Sequence, residues 1–181
     1  MPSPIAHAAA GYVVHKLYKG SKKASKQNLS WQLLFVMMGL SLLPDLDAIP
    51  GILLGDFKQF HNNISHSFFW GFIVSILIGS FMWVKQKRFK EWFFITLACY
   101  ELHVIMDYFT IGGRGVLVLW PFSTNRYEAP IKLFYGVRWS DGLVSLNHLW
   151  TIFTEIGLVV VLYLILNYLL SSKFVPNESP V

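Results

Sequence analysis

The sequence has few charged residues. Only 14% of its 181 residues are Asp, Glu, Lys or Arg, whereas 54% are apolar and 17% are aromatic. A soluble globular domain carries about 25% charged residues, so this composition argues against a soluble domain, and also against a disordered chain or a coiled coil. The composition favours a small membrane protein, and the length allows one compact domain.

Cysteine is nearly absent, and so are the motifs of several enzyme classes. Cys99 is the single cysteine, which excludes a disulfide framework and a thiolate zinc site. Because Cys99 lies in an apolar stretch, we expect it to be a small buried side chain. We find no serine or cysteine triad. No nucleic-acid motif accompanies the basic residues, so no nucleic-acid partner is expected.

Long stretches with little or no charge divide the chain. A membrane span needs roughly 20 mainly apolar residues, and the stretches predict four spans, at 29–43, 67–84, 92–109 and 149–171. A short helix with Pro4 in its first turn and Ser3 as its cap precedes them. The predicted fold is all-α, a polytopic membrane bundle of about four transmembrane helices plus this N-terminal helix. Residues 1–172 form a single domain, and 173–181 are a disordered tail.

Two basic clusters set the orientation. One runs from Lys16 to Lys26 and the other from Lys85 to Lys90. Two predicted crossings separate them, so both can lie on the cytoplasmic side, as the positive-inside rule requires. Contact with anionic lipid headgroups then accounts for both clusters. The segments 44–66 and 107–149 are predicted to face away from the cytoplasm.

Ionisable residues occur beside the predicted spans, where they are costly and need a reason. In this topology the first span ends, the second begins and the third ends on the extracytoplasmic side. The N-terminal helix adds His7, which lies about 13 Å along the helix from the cytoplasmic Lys16. The sequence therefore predicts one layer of ionisable residues at that face, formed by His7, Asp45, Asp47, His61, His66, His103 and Asp107.

These residue types are typical of a metal site. Any one of them could be a hydrogen-bonded interfacial residue, but the whole set at one membrane face favours metal binding. His103 and Asp107 share a helix face because they are four residues apart. Imidazole and carboxylate without thiolate suit a divalent metal, with zinc the first choice and manganese or iron as alternatives. Seven ligands exceed the needs of one tetrahedral ion, so two ions about 3.5–4 Å apart are possible.

Five short motifs occur in order along residues 1–125. They are Met-Pro-Ser-Pro-Ile-Ala-His7, Leu-Pro44-Asp45-Leu-Asp47, His61-x-x-x-Ser65-His66-Ser67, His103-x-x-x-Asp107 and Leu119-Trp120-Pro121-Phe122-Ser123. Their order and spacing resemble the bacterial inner-membrane metal-dependent hydrolases, the LexA-binding, inner-membrane-associated hydrolase family. The family pattern often has arginine after the first histidine of the third motif, where this chain has Asn62.

The resemblance implies a multi-pass protein of the bacterial cytoplasmic membrane with metal-dependent hydrolase activity. A looser similarity to helical zinc-dependent phospholipases C suggests a lipid-linked or membrane-proximal ester or phosphoester as substrate. Water activated by the metal would be the nucleophile. Glu101 and His148 are the candidates for the general acid, and Ser65 for the cap of the second span.

The segment after Asp107 contains three arginines. Arg114 could bind an anionic headgroup, since guanidinium fits phosphate. Arg126 and Arg138 are expected in solvated loops.

Two other functions remain open. One is a non-catalytic, partner-binding membrane protein with a structural metal. The other is a metal or proton transporter, although the ionisable residues lie at one end only.

Overall fold

The computed structural model describes residues 2–21, 31–55, 57–111, 114–137 and 146–172. Helices make up nearly all regular structure in these ranges, which confirms the all-α prediction; the predicted tail at 173–181 lies outside the described residues. The helices are α1 (Pro4–Ser21), α2 (Trp31–Ser41), α3 (Ala48–Leu54), α4 (Phe57–Phe60), α5 (Phe68–Gln86), α6 (Phe89–Tyr108) and α7 (Asn147–Ser172), with 3₁₀ turns at Leu43–Asp47 and Ile64–His66.

The described helices provide fewer membrane spans than the sequence predicted. By length and composition, α5 and residues 148–165 of α7 can each cross a membrane. Helix α2 and the segment Leu43–Leu54 pass the same test together, as a pair bent by 52°. By this test the described residues contain two candidate spans, or three if the bent pair is one span, of the roughly four that the sequence predicts. Helix α6, predicted as a span at 92–109, forms but carries four charged residues, Lys90, Glu91, Glu101 and Asp107.

Helix α6 lies at the centre of the bundle, in contact with α1, α2 and α5. Its closest partner is α5, which presents the buried small residues Gly71, Ser75 and Gly79 at intervals of four. Small residues let two membrane helices approach closely. The ring of Phe89 and the Cβ atom of Phe93 pack against Gly79, and the Ser75 hydroxyl donates to the carbonyl of Gly71 at 2.7 Å.

Helix α1 crosses α2 at a similarly close distance. A Cβ at Gly11 would lie 2.5 Å from the carbonyl oxygen of Met37. Ser3 caps α1 as predicted, because its hydroxyl accepts the amide of Ala6 at 3.3 Å. Glu155 of α7 adds a second cap, since its carboxylate accepts from both the backbone N–H, at 2.6 Å, and the hydroxyl of Ser3. These contacts fix α1 within the bundle.

The segment 114–137 folds back over one end of α5 and α6. Val116 and Tyr127 exchange two backbone hydrogen bonds of 2.9 Å. The carbonyl of Val118 accepts the amide of Phe68 at the start of α5, at 3.1 Å. The segment is thereby fixed to the end of the bundle at which α5 begins and α6 ends.

We expect Gly11→Ala to destabilise the protein and Gly39→Ala to leave it unchanged or slightly more stable. The added methyl at Gly11 would overlap the backbone of α2, and overpacking of this kind costs about 1–3 kcal/mol. A Cβ at Gly39, also on this helix pair, meets nothing within 4 Å, and alanine favours the helix. Thermal unfolding in detergent, followed by circular dichroism, measures both changes. Equal midpoints for the two variants would contradict the close crossing.

Candidate metal centre

All seven predicted ligands lie together at the end of the bundle covered by segment 114–137. His7 comes from α1, and His103 and Asp107 come from the last turns of α6. The remaining residues lie in or beside the two 3₁₀ turns, where the chain leaves α2 and enters α5. His7, His66 and His103 are fully buried. Four separate segments thus supply one cluster, as the sequence predicted.

Two groups within the cluster have the arrangement that an ion requires. His7, His103 and Asp107 form one group, and their candidate ligand atoms lie within 4.8 Å of one another. Nε2 of His7 is 3.5 Å from Oδ1 of Asp107, and Nε2 of His103 is 3.6 Å from Oδ2 of the same residue. The rings of His7 and His103 are stacked with their centroids 3.6 Å apart. One carboxylate therefore faces both imidazoles.

The second group consists of Asp45, His61 and His66. Oδ1 of Asp45 lies 3.9 Å from Nε2 of His61 and 3.6 Å from Nε2 of His66. The two groups adjoin, because Nε2 of His66 is 3.1 Å from Oδ2 of Asp107. Oδ1 of Asp45 is likewise 3.5 Å from Nε2 of His103. Each carboxylate thus faces histidines of both groups.

These separations fit ligands of a shared ion better than hydrogen bonds. Tetrahedral ligands at bond lengths of 2.0–2.2 Å lie about 3.3–3.6 Å apart. Nε2 of His66 and Nε2 of His103 are 3.3 Å apart, and two imidazole nitrogens attract each other only through a proton or a metal between them. Both Asp107 oxygens, Oδ1 of Asp45 and both His7 nitrogens are buried without a hydrogen-bond partner. The residues present therefore fit a divalent metal.

Asp47 reaches the cluster from behind its histidines. Its Oδ1 accepts from Nδ1 of His61 at 2.6 Å, and its Oδ2 lies 3.2 Å from Nδ1 of His66. The hydroxyl of Ser65 also donates to Oδ2. A carboxylate on Nδ1 leaves the Nε2 lone pair free for a metal. Asp47 was predicted to be a ligand, and these contacts give it the position of a residue that orients ligands.

Ser41, the last residue of α2, orients the other half of the cluster. Its carbonyl accepts from Nδ1 of His103 at 2.8 Å. Its hydroxyl donates to the carbonyl of His7 at 2.7 Å. Ser41 thereby joins α1, α2 and α6 behind the ligands. Sequence reasoning missed it, because a serine at a helix end carries no distinctive signal.

The charges of the cluster favour a bound cation. Burial lowers the pKa of His66, but the neighbouring carboxylates of Asp107, Asp45 and Asp47 outweigh burial and raise that pKa well above its usual value. The carboxylates around His66 thus stabilise positive charge at its ring, which either a proton or a metal ion supplies.

Arg126 holds the turn that carries His61. Its guanidinium donates to the carbonyl of Asn62 and to Oδ1 of Asn63, both at 2.8 Å. Asn62 has a φ of 60°, so the turn is in the left-handed region and benefits from such support. Burial and the neighbouring Arg114 lower the pKa of Arg126. Arg126 thus lies in a loop, as expected, but is half-buried against the turn at Asn62.

The other arginines differ in their positions. Arg114 is exposed, and its guanidinium donates to the carbonyl of His61 at 3.2 Å. This places Arg114 beside the cluster, where it was predicted to bind substrate. Arg138 lies outside the described residues.

The cap of α5 is Ser67 and not Ser65, the residue that the sequence predicted. Ser67 caps α5, because its hydroxyl accepts the amide of Trp70 at 3.2 Å. Ser65, predicted as that cap, donates instead to Asp47. Its carbonyl accepts the hydroxyl of Tyr100 at 2.6 Å. The 3₁₀ turn at Ile64–His66 shifts the start of α5 and leaves Ser65 for the site.

The two predicted general acids do not join the cluster. Glu101 lies on another face of α6 from His103, directly against Gly71 of α5. His148 is at the start of α7. Neither belongs to the groups found among the described residues that could hold an ion. Cys99 is fully buried, as expected.

Comparisons with known proteins agree with a membrane location. A protein-family model described as "YdjM inner membrane protein" matches residues 1–178. The "Inner membrane protein YbcI" of Escherichia coli (strain K12) is 34% identical over 136 residues, which cover 72% of this chain and 73% of that protein. No solved structure matches.

We expect Asp47→Asn to weaken metal binding without abolishing it. The amide keeps the shape of the carboxylate but withdraws the charge that orients His61 and His66, and loss of such a partner costs about 10–100-fold in metal affinity. Asp45→Asn, which changes a ligand, should cost more. Zinc titration of the detergent-purified protein against a competing chelator measures both affinities. An affinity loss for Asp47→Asn as large as that for Asp45→Asn would make Asp47 a ligand.

Proposed function

The chain belongs to the YdjM inner membrane protein family, and from this membership and its cluster of histidines and aspartates we propose that it is a divalent-metal-dependent hydrolase. Its substrate is a lipid-linked or membrane-proximal ester, with a phosphoester the first choice. The observation that carries the proposal is the convergence of imidazole Nε2 atoms on the two carboxylates Asp45 and Asp107.

The ligand atoms suit two ions better than one. His7, His103 and Asp107 would hold the first, and Asp45, His61 and His66 the second. Asp107 and Asp45 each face histidines of both groups, so either carboxylate would be available to both ions. Zinc is the first choice of metal, with manganese and iron as alternatives. When bound, such ions act as Lewis acids and lower the pKa of water.

The chain's own residues prepare the site for this chemistry. Asp47 and Ser41 hold the rings of three histidines with Nε2 directed at the carboxylates. The side chains of Asp45 and Asp47 are 16% and 14% exposed, whereas those of the other predicted ligands are at most 4% exposed. A substrate would therefore reach the cluster beside Asp45. Arg114, exposed next to His61, could bind an anionic group there.

No general acid is assigned from the contacts. Glu101 and His148 stay predictions, since neither lies in the cluster of described residues. Protonation of the leaving group by water entering beside Asp45 would meet the same need.

We expect the purified protein to contain bound metal and to hydrolyse a phosphoester only when loaded. His66→Ala and Asp107→Ala should lose metal and activity together, because each removes an atom that faces both groups. Metal is measured by elemental analysis after purification in detergent, and turnover is measured with p-nitrophenyl phosphate and with phospholipids in mixed micelles. Arg88→Gln is the control. Arg88 lies between α5 and α6, at the end of these helices opposite the cluster, so this variant should behave as the unchanged protein.

Other results would select the alternatives. Bound metal without turnover on any ester would favour a partner-binding protein with a structural metal. A protein without metal would exclude the hydrolase. A transporter is disfavoured because the ionisable cluster occupies one end of the bundle.

We also propose that the cluster faces the extracytoplasmic side. The lysines of α1 and of the turn between α5 and α6 lie at the opposite end of these helices, and Lys and Arg prefer the cytoplasmic side.

In the Cys99→Ala background we expect Gln59→Cys, exposed on α4 near the cluster, to react with a membrane-impermeant maleimide added outside cells with a permeabilised outer membrane. Lys90→Cys, at the other end, should react only after lysis. The reverse pattern would invert the orientation.

A further inference from the structure

Helix α3 is short, uncharged and exposed. Its seven residues read AIPGILL. Ile49, Ile52, Leu53 and Leu54 are each between 50% and 78% exposed. The helix contacts α4 and the 3₁₀ turn at Leu43–Asp47, which are its neighbours in sequence. Apolar exposure of this extent is unfavourable in water and marks a surface that something apolar covers.

The position of α3 along the bundle is fixed by α5. Helix α5 has 19 residues, about 28 Å of length, close to the hydrocarbon thickness of about 30 Å. His66 immediately precedes its first turn, and Lys85 and Lys87 lie near its other end against Phe81 and Trp83. The metal centre therefore lies at one edge of the hydrocarbon layer, and α3 begins directly after Asp47.

The exposed face of α3 adjoins other exposed apolar surfaces of the bundle. Helix α2 and the segment Leu43–Leu54 are together apolar enough for a span, although bent by 52°, and Trp31 and Phe35 of α2 are also exposed. At the same level as the cluster, Phe122 is 86% exposed and its ring packs edge-on against Phe69 of α5. The ring of Phe69 also packs against Trp120, and tryptophan is enriched at the membrane interface. Lipid is the one medium that contacts all of these surfaces together.

We propose that α3 is immersed in the lipid and forms the lipid-facing edge of the metal centre. Asp45 and Asp47, the most exposed members of the cluster, directly precede the helix. A phospholipid beside α3 is thus a neighbour of the opening, and a substrate enters from the membrane and not from the aqueous phase. This last step rests on the proposed hydrolase function, whereas the immersion of α3 does not.

Spin labels test the immersion directly. Leu53→Cys and Ile52→Cys are made separately in the Cys99→Ala background, labelled with a nitroxide and reconstituted into vesicles of phosphatidylethanolamine and phosphatidylglycerol. The collision rates of each label with oxygen and with a water-soluble nickel chelate are then measured. We expect both labels to collide more often with oxygen than with the nickel chelate. This result would place them about 5–10 Å below the headgroup boundary. Leu77→Cys on the exposed face of α5 is the lipid control, and Lys90→Cys is the aqueous control.

The possible outcomes separate this inference from the function. Labels at 52 and 53 that behave like Lys90→Cys would overturn the immersion of α3, even if the protein hydrolyses esters. Labels that behave like Leu77→Cys, in a protein without turnover, would keep the immersion and overturn the hydrolase.

Leu53→Lys tests the route of entry in an active protein. We expect it to keep its metal and its activity on p-nitrophenyl phosphate but to lose most of its activity on vesicle phospholipid. Equal losses on both substrates would overturn entry from the lipid.

Discussion

The burial of carboxylates and imidazoles against one another is the constraint on which the structure depends. A charged group removed from water costs several kcal/mol unless it is paired, and in a membrane bundle each such group must find its partner within the protein. Asp107 meets three histidines, and Asp45 meets three as well. None of these groups could remain buried alone, so the segments that carry them must meet at one place.

This constraint explains why helices of different kinds are present. Helix α5 is apolar enough to cross a membrane on composition alone, whereas α6 carries ligands and is shielded by α1, α2 and α5. The close crossings at Gly11 and Gly71 bring the helices together tightly enough for ligand atoms from α1 and α6 to lie 3.5 Å apart. The segment 114–137 contributes the guanidinium of Arg126, which fixes the turn at Asn62 and Asn63.

The sequence predicts the members of the cluster better than their roles. Charge is so scarce that any ionisable residue beside a span stands out, and a consistent topology places His7 with Asp107 without knowledge of the packing. A carboxylate is a ligand or an orienting residue according to which ring nitrogen of the histidine it contacts. Asp47 contacts Nδ1 of His61 and His66. The spacing of Asp45 and Asp47 in the sequence does not predict this contact. The cap of α5 was misassigned to Ser65 because a 3₁₀ turn displaces the helix start by two residues. Arg126 is separated from Asn62 by 64 residues, beyond the reach of any local pattern.

The location proposed for the candidate metal centre, at the edge of the hydrocarbon, follows from the same balance of costs. A cluster in the middle of the hydrocarbon would have to be enclosed on every side, and its substrate would have to carry a polar ester to the same depth. A cluster in the aqueous phase would have easy access to water but none to an acyl lipid held in the membrane. At the edge of the hydrocarbon, apolar helices protect the histidines while Asp45 keeps contact with the outside. A lipid ester group resides at this depth, so an uncharged, exposed helix beside Asp47 is an appropriate border for such a site.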